Sequence, residues 1–147
     1  MRADTGNSEP RRSASVAERL RAAGLRPTRQ RRALGALLFT GEDRHVTAEM
    51  LHEQAVRASV PVSLATVYNT LHQFTRAGLL REVAIDGAKS YFDTNTSDHH
   101  HFYVEDENRL IDIEGGDIRV DGLPEAPAGM AVTHIDVVVR VRRASEG

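Results

Sequence analysis

The sequence predicts an α+β chain: an N-terminal winged helix-turn-helix followed by a small α/β dimerisation unit. Three observations carry this. Helix-periodic stretches with capping residues fill the first half, two alternating stretches flank an Asp-Gly pair in the middle, and short strand-like runs fill the second half. No internal repeat competes with that division.

Residues 1–14 are polar and lack apolar periodicity, which reads as a flexible tail. In "SVAERLRAAGL" (15–25), Val16, Leu20 and Ala23 recur at helical spacing, with Ser15 to cap the helix and Gly24 to end it. "TRQRRALGALLF" (28–39) opens on Thr28 and turns Leu34, Leu37 and Leu38 to one face. "VTAEMLHEQAVRAS" (46–59) repeats the pattern, with Thr47 as cap and Met50, Leu51 and Val56 expected inward. Pro61 breaks the chain, and Ser63 caps "LATVYNTLHQFTRAGLL", where Leu64, Val67, Leu71 and Phe74 form an apolar stripe ended by Gly78. With that stripe inward, Ala65, Tyr68, Asn69 and His72 share an exposed flank, and Ala65 is suited to a thymine methyl.

"LLREVAIDGAKSYFD" then predicts a hairpin with a two-residue turn at Asp86-Gly87. Helices followed by a hairpin make a winged helix-turn-helix, in which the last helix enters the major groove and the hairpin touches phosphate. Beyond it come "HHHFYVED", a turn near Glu107-Asn108, "RLIDIE", a Pro/Gly-interrupted segment (115–130) and "VTHIDVVVRVRR", about three strands in all. So small a unit buries too little core alone, which predicts pairing with a second copy. The expected boundaries are a tail (1–14), a DNA-binding domain (15–93), a hinge (94–98) and a dimerisation and metal-sensing domain (99–143).

Composition narrows the function classes. A hydrophobic content of 40% with 27% charged residues is that of a soluble globular protein. No apolar run approaches the roughly 20 residues of a membrane span, and "MRADTGNSEPRRS" has no apolar signal core, so a cytoplasmic location is expected. The absence of cysteine removes disulfides, thiolate zinc sites and cysteine nucleophiles. The net charge of -2 hides an asymmetry: residues 1–39 carry nine arginines against Asp4, Glu9 and Glu18, whereas residues 98–147 carry eleven acids against five arginines. A basic first half suits a polyanion.

"SDHHHFYVEDEN" (97–108) holds three of the seven histidines in a row. It reads as a polar strand start, a metal site, or a site for something larger that histidine ligates. On a strand His99 and His101 face one way, and Asp98 and His100 the other.

"HVTAEMLHEQA", "SLATVYNTLHQFTRAGLL", "GAKSYFD" and the histidine cluster before a strand together resemble the ferric uptake regulators, from about Leu20 to Arg140. "TSDHHHFYVEDENRLIDI", with no Cys-x-x-Cys pair, is most similar to the iron response regulator branch. The resemblance implies a dimeric transcription regulator of iron and heme homeostasis that binds double-stranded operator DNA and responds to heme or a divalent metal (Fe, Mn or Zn). By the same resemblance, the regulatory metal site falls on His45, Asp93, His99, His101 and Asp112. A second metal or heme site falls on Asp98, His100 and His134, although one family carboxylate there is Arg119 in this chain.

Tyr68 resembles the family's base-contacting tyrosine, Arg26 a residue reaching the minor groove, and Arg31 the helix-start arginine near the backbone; Asn69 departs from the arginine of many relatives. The structural zinc that many relatives hold in two Cys-x-x-Cys pairs should be missing, because the first pair falls at Val104 and Glu107. That leaves dimer stability to Ile135, Val137, Val138 and Val139. A peroxide-sensing repressor of the same family is the alternative, since Asp93 and Asp112 match the carboxylate pattern that permits iron-driven histidine oxidation. A metal-dependent enzyme would need an open coordination position beside a substrate pocket. The chain shows no nucleophile motif, cofactor loop or phosphate cradle, so no enzyme is expected.

Overall fold

The computed structural model describes residues 15–144 apart from 88 and 115–116, so the tail expected over 1–14 lies outside the described residues. Four helices form where the caps place them. They are α1 (Val16–Ala22), α2 (Arg29–Leu38), α3 (Ala48–Arg57) and α4 (Leu64–Arg76). The Ser15, Thr28, Thr47 and Ser63 hydroxyls each accept a backbone N–H three residues on, and Ser15 with Glu18 closes a capping box. Gly78 at φ +84° carries the left-handed turn that ends α4.

The helices enclose a core of Leu20, Leu34, Leu38, Leu51, Val67, Leu71 and Phe74. On α3 the expectation fails for two residues: Met50 is 42% and Val56 60% exposed. The helix turns Ala48, Leu51 and Ala55 inward instead, at i, i+3 and i+7, which leaves Met50 on the opposite side and Val56 on the flank.

A three-stranded antiparallel sheet closes this half in the order β1-β3-β2. Its strands are β1 (His45–Val46), β2 (Arg81–Asp86) and β3 (Lys89–Asp93). Sequence periodicity does not reveal β1, since two residues are too few to show alternation. The hairpin turn falls one position later than expected. Asp86 pairs with Lys89, so the connecting residues are 87 and 88, the second of them outside the described residues, and a register shift between Ala84 and Asp86 absorbs the difference.

The second sheet has the order β5-β4-β6. The hairpin β4 (His100–Val104) and β5 (Arg109–Ile113) is antiparallel, and β6 (Val138–Val141) runs parallel to β4. The three strands anticipated for this half are present. Among the described residues no helix follows Arg76, because Pro124, Pro127, Gly122 and Gly129 interrupt the long connection before β6. Ile111, Phe102 and Val139 are register partners across the three strands and are each more than a third exposed, an apolar row on the outer face. The inner face shares a second core with the hairpin, where Val83, Ile85 and Tyr91 pack against Tyr103, Leu110 and the half-buried Val138.

The helices α1 and α2 approach closely at Gly35, where an added Cβ would lie 2.6 Å from Val16 Cγ1. Gly35→Val is therefore expected to cost about 1–3 kcal/mol, read as a lower urea midpoint at unchanged slope. Wild-type stability in that variant would show the α1–α2 approach to be slack.

Candidate metal centre and nucleic-acid interface

Strand register assembles the first site. On β1 and β3, His45 and Asp93 are direct cross-strand partners; on β4 and β5, His101 and Asp112 are. Direct partners point to the same face, and His99 shares the face of His101 by alternation. The two sheets meet there, and the five side chains offer ligand atoms all within 4.8 Å of one another.

Asp93 is the centre. Its buried Oδ2 lies 3.1 Å from His45 Nε2, 3.0 Å from His99 Nε2 and 3.1 Å from His101 Nε2. Its Oδ1 accepts the Asn95 N–H at 2.8 Å. Asp112 Oδ1 approaches the same three nitrogens at 2.8, 3.3 and 3.4 Å. The Asp112 side chain is 39% exposed, so the site opens to solvent on that side.

The donor chemistry fits a divalent cation. His99 Nδ1 lies 2.7 Å from the Ser97 carbonyl, which can only accept. That nitrogen therefore carries a proton, and in the neutral ring the Nε2 lone pair faces the carboxylates. Two lone-pair bearers 3.0 Å apart repel unless a proton or a metal ion lies between them. Three imidazoles and two carboxylates suit Fe(II), Mn(II) or Zn(II). The second nitrogen of His101, Nδ1, is buried without a partner.

Electrostatics point the same way. Burial alone would lower the pKa of His45, but the hydrogen bond and charge of Asp93, joined by Asp112, raise it. Burial alone would raise the pKa of Asp93, but hydrogen bonds from His101, His45 and the Asn95 N–H hold it well below the usual carboxylate range.

The residues assigned to a second site form no ligand group, although Asp98 and His134 line one cleft with Arg81 and Asp136. Among the described residues only the five above form a ligand group. Asp98 has a 95% exposed side chain, and His134 Nε2 lies 3.3 Å from Asp136 Oδ2. His100 Nδ1 accepts the Val137 N–H at 3.0 Å. Arg119 is also exposed, beside Asp121.

An arginine stands in the same region. Arg81, only 8% exposed, donates to the Ser97 carbonyl at 2.9 Å, pairs with Asp136 and lies 3.8 Å from Asp98. Sequence reasoning missed Arg81 and Asp136. A signal was present, since Arg81 occupies the apolar phase of a strand whose buried face continues with Val83 and Ile85.

On the side expected to meet DNA, Arg26, Ala65 and Asn69 are exposed. Arg31 is half-buried: its Nε and one terminal nitrogen donate to Gln73 Oε1 at 3.2 and 3.1 Å, and the other nitrogen donates to the Arg26 carbonyl. It braces α2 against α4 and is not presented freely to a phosphate. Tyr68 is half-buried, and its hydroxyl donates to Glu49 Oε2 at 3.0 Å. His72 stacks on Tyr68 at a centroid distance of 6.4 Å and meets Phe92 edge-to-face at 5.6 Å.

Residues 22–139 match the profile of the Ferric uptake regulator family. The chain belongs to this family. A peroxide-responsive repressor, PerR, of Staphylococcus aureus is 32% identical over 117 residues, 78% of each chain. The structure of the ferric uptake regulator from Pseudomonas aeruginosa with manganese superposes at a TM-score of 0.67, with 27% identity over 88% of this chain and 98% of that one. The Vibrio cholerae ferric uptake regulator matches in fold at a TM-score of 0.68, with 23% identity over 86% of this chain and 98% of that one. Ferric uptake regulator family proteins are metal-responsive transcription regulators, dimeric and DNA-binding, and not enzymes.

The shifts of His45 and Asp93 predict a pH profile for the metal-free protein. The lowered pKa of Asp93 contributes stability above its ordinary value of 3.8 and loses it as pH falls. The raised pKa of His45 contributes fully below 6.5 and fades as pH rises through the folded value. Urea midpoints in chelator are expected to be lower at about pH 8 than at about pH 6, with the difference flattened in Asp93→Asn. A profile identical in that variant would remove the pair as its cause.

Proposed function

We propose that this protein is a dimeric, metal-dependent DNA-binding regulator whose effector, Fe(II) or Mn(II), is held by His45, Asp93, His99, His101 and Asp112. The observation that carries the reading is the meeting of ligand atoms from both sheets within 4.8 Å. His45 and Asp93 belong to the half that carries α4, whereas the other three belong to the half with the exposed row Ile111–Phe102–Val139. Bound metal would supply a positive charge drawing the two groups together. Linking the halves sets the angle at which two copies present their α4 helices, and linkage makes DNA and metal strengthen each other's binding. The division into a DNA-binding domain (15–93), a hinge (94–98) and a dimerisation domain (99–143) belongs to this reading. Among the described residues no helix is long and apolar enough to cross a membrane. A DNA-binding role puts the site of action in the cytoplasm.

Two finer readings concern the signal. Peroxide sensing is favoured by the Staphylococcus aureus relative and by Asp93 and Asp112 in the ligand set. Heme as signal, in the manner of the iron response regulators, is supported by the motif "TSDHHHFYVEDENRLIDI". With His99 and His101 engaged by the carboxylates, His100 is the cluster member left for heme, its ring anchored by the Val137 N–H. A Soret titration of wild type and His100→Ala, beside peroxide treatment of the Fe(II)-loaded protein, separates the two. Unchanged heme affinity in the variant excludes His100 as ligand, and unimpaired DNA binding after peroxide excludes the sensor.

The main reading is tested on DNA. Mn(II) is expected to raise the affinity of the wild type for a duplex selected from a random library, and His101→Ala should abolish the increase. Tyr68→Ala is expected to lose on the order of 1–3 kcal/mol on that duplex while keeping nonspecific binding. Because no cysteine is present for a thiolate zinc site, the chelated protein should remain a folded dimer by light scattering. Metal-independent DNA binding would sink the proposal.

A further inference from the structure

Glu49, the carboxylate in the first turn of α3, has no part in the reading above, yet it holds the hydroxyl of Tyr68. A phenol has one proton to donate and lone pairs with which to accept, whereas an ionised carboxylate only accepts. At 3.0 Å from Glu49 Oε2, the Tyr68 hydroxyl must be the donor, and its single proton is committed to the protein. The ring is fixed as well. It packs against the helical core and stacks on His72 with the planes 18° apart. Lys89, which lines the same cleft of about 430 Å³, directs its ammonium to Tyr103 and Asn108 instead of Glu49. The Glu49 hydrogen bond also raises the pKa of the phenol.

We propose that Glu49 is a specificity-determining residue that turns Tyr68 into an acceptor-only reader of the major groove. In that groove the donors are the amino groups of adenine and cytosine, whereas guanine N7 and O6, adenine N7 and thymine O4 are acceptors. With its proton held back, the Tyr68 oxygen accepts from an adenine or cytosine amino group and is repelled by the acceptor edges of guanine and thymine. Exclusion of water at the DNA surface strengthens both the Tyr68–Glu49 bond and that discrimination. The inference rests on the reading of α4 as the helix that meets DNA.

The test is selection of duplexes from a randomised library by the Mn(II)-loaded full chain, as wild type, Glu49→Ala, Tyr68→Phe and Tyr68→Ala. The position whose preference disappears in Tyr68→Phe marks the base under the hydroxyl. There the wild type is expected to select adenine or cytosine, and Glu49→Ala, with the proton freed, to admit guanine or thymine also. Replacing that base with purine or 2-pyrimidinone, which lack the amino group, should weaken wild-type binding roughly 3- to 10-fold and leave Tyr68→Phe nearly unchanged. Glu49 lies exposed in the first turn of α3, and an unaltered thermal midpoint in Glu49→Ala confirms that only recognition has moved. Wild-type selection of guanine or thymine at that position, or an unaltered preference in Glu49→Ala, overturns the proposal. If both Tyr68 variants select the wild-type sequence, α4 is not the reader, and the assignment of the DNA-binding face fails with it.

Discussion

The seam between the two sheets is organised by one buried carboxylate. Asp93 ends β3, the central strand of the first sheet, with His45 opposite it on β1 and Arg81 opposite it on β2. Direct partners across antiparallel strands share a face, so these three residues form one row directed at the second half. A carboxylate with no exposed surface is costly to bury unless its charge is answered. His45, His101 and the Asn95 N–H answer it, and His99 joins them once a proton or a metal ion lies between its Nε2 and the carboxylate. Much of the local geometry follows from that requirement: the return of β1 to the sheet, the turn at Asn95, and the placement of His99 and His101 on the near face of the second half.

The row has two unlike ends. At the His45 end, charge is balanced among titratable groups that exchange protons or accept a cation. At the Arg81 end, a buried guanidinium gives a permanent cation to Asp136 and the Ser97 carbonyl. Arginine stays charged at any pH the protein meets, so this contact between the halves does not depend on metal. One end of the seam is fixed, and the other answers to its surroundings.

Much of this was legible from the residues, and the failures have physical causes. Caps and the α4 stripe marked the helices, because hydroxyls before an apolar 3.6-residue period have few other uses. Alternation placed His99 with His101, and the structure keeps them together with Asp93. The remaining partners, His45, Asp93 and Asp112, are scattered along the chain, and only resemblance to a known family brought them into view. Met50 and Val56 misled because several apolar residues on a short helix leave more than one stripe open. Arg81 and Glu49 went unnoticed because their roles depend on which strand or helix they meet, which no local pattern encodes.

The hairpin after α4 belongs to both halves of the molecule. Its inner residues Val83, Ile85 and Tyr91 complete a core with Tyr103 and Leu110, and Arg140 reaches back to the Ile85 carbonyl and Asp86. Modularity is limited accordingly. A chimaera joined at the polar connector after Asp93 would set this apolar surface against a foreign sheet, however well the linker was matched. DNA specificities exchanged among such regulators would have to carry the hairpin's inner face and its docking residues as one inherited block.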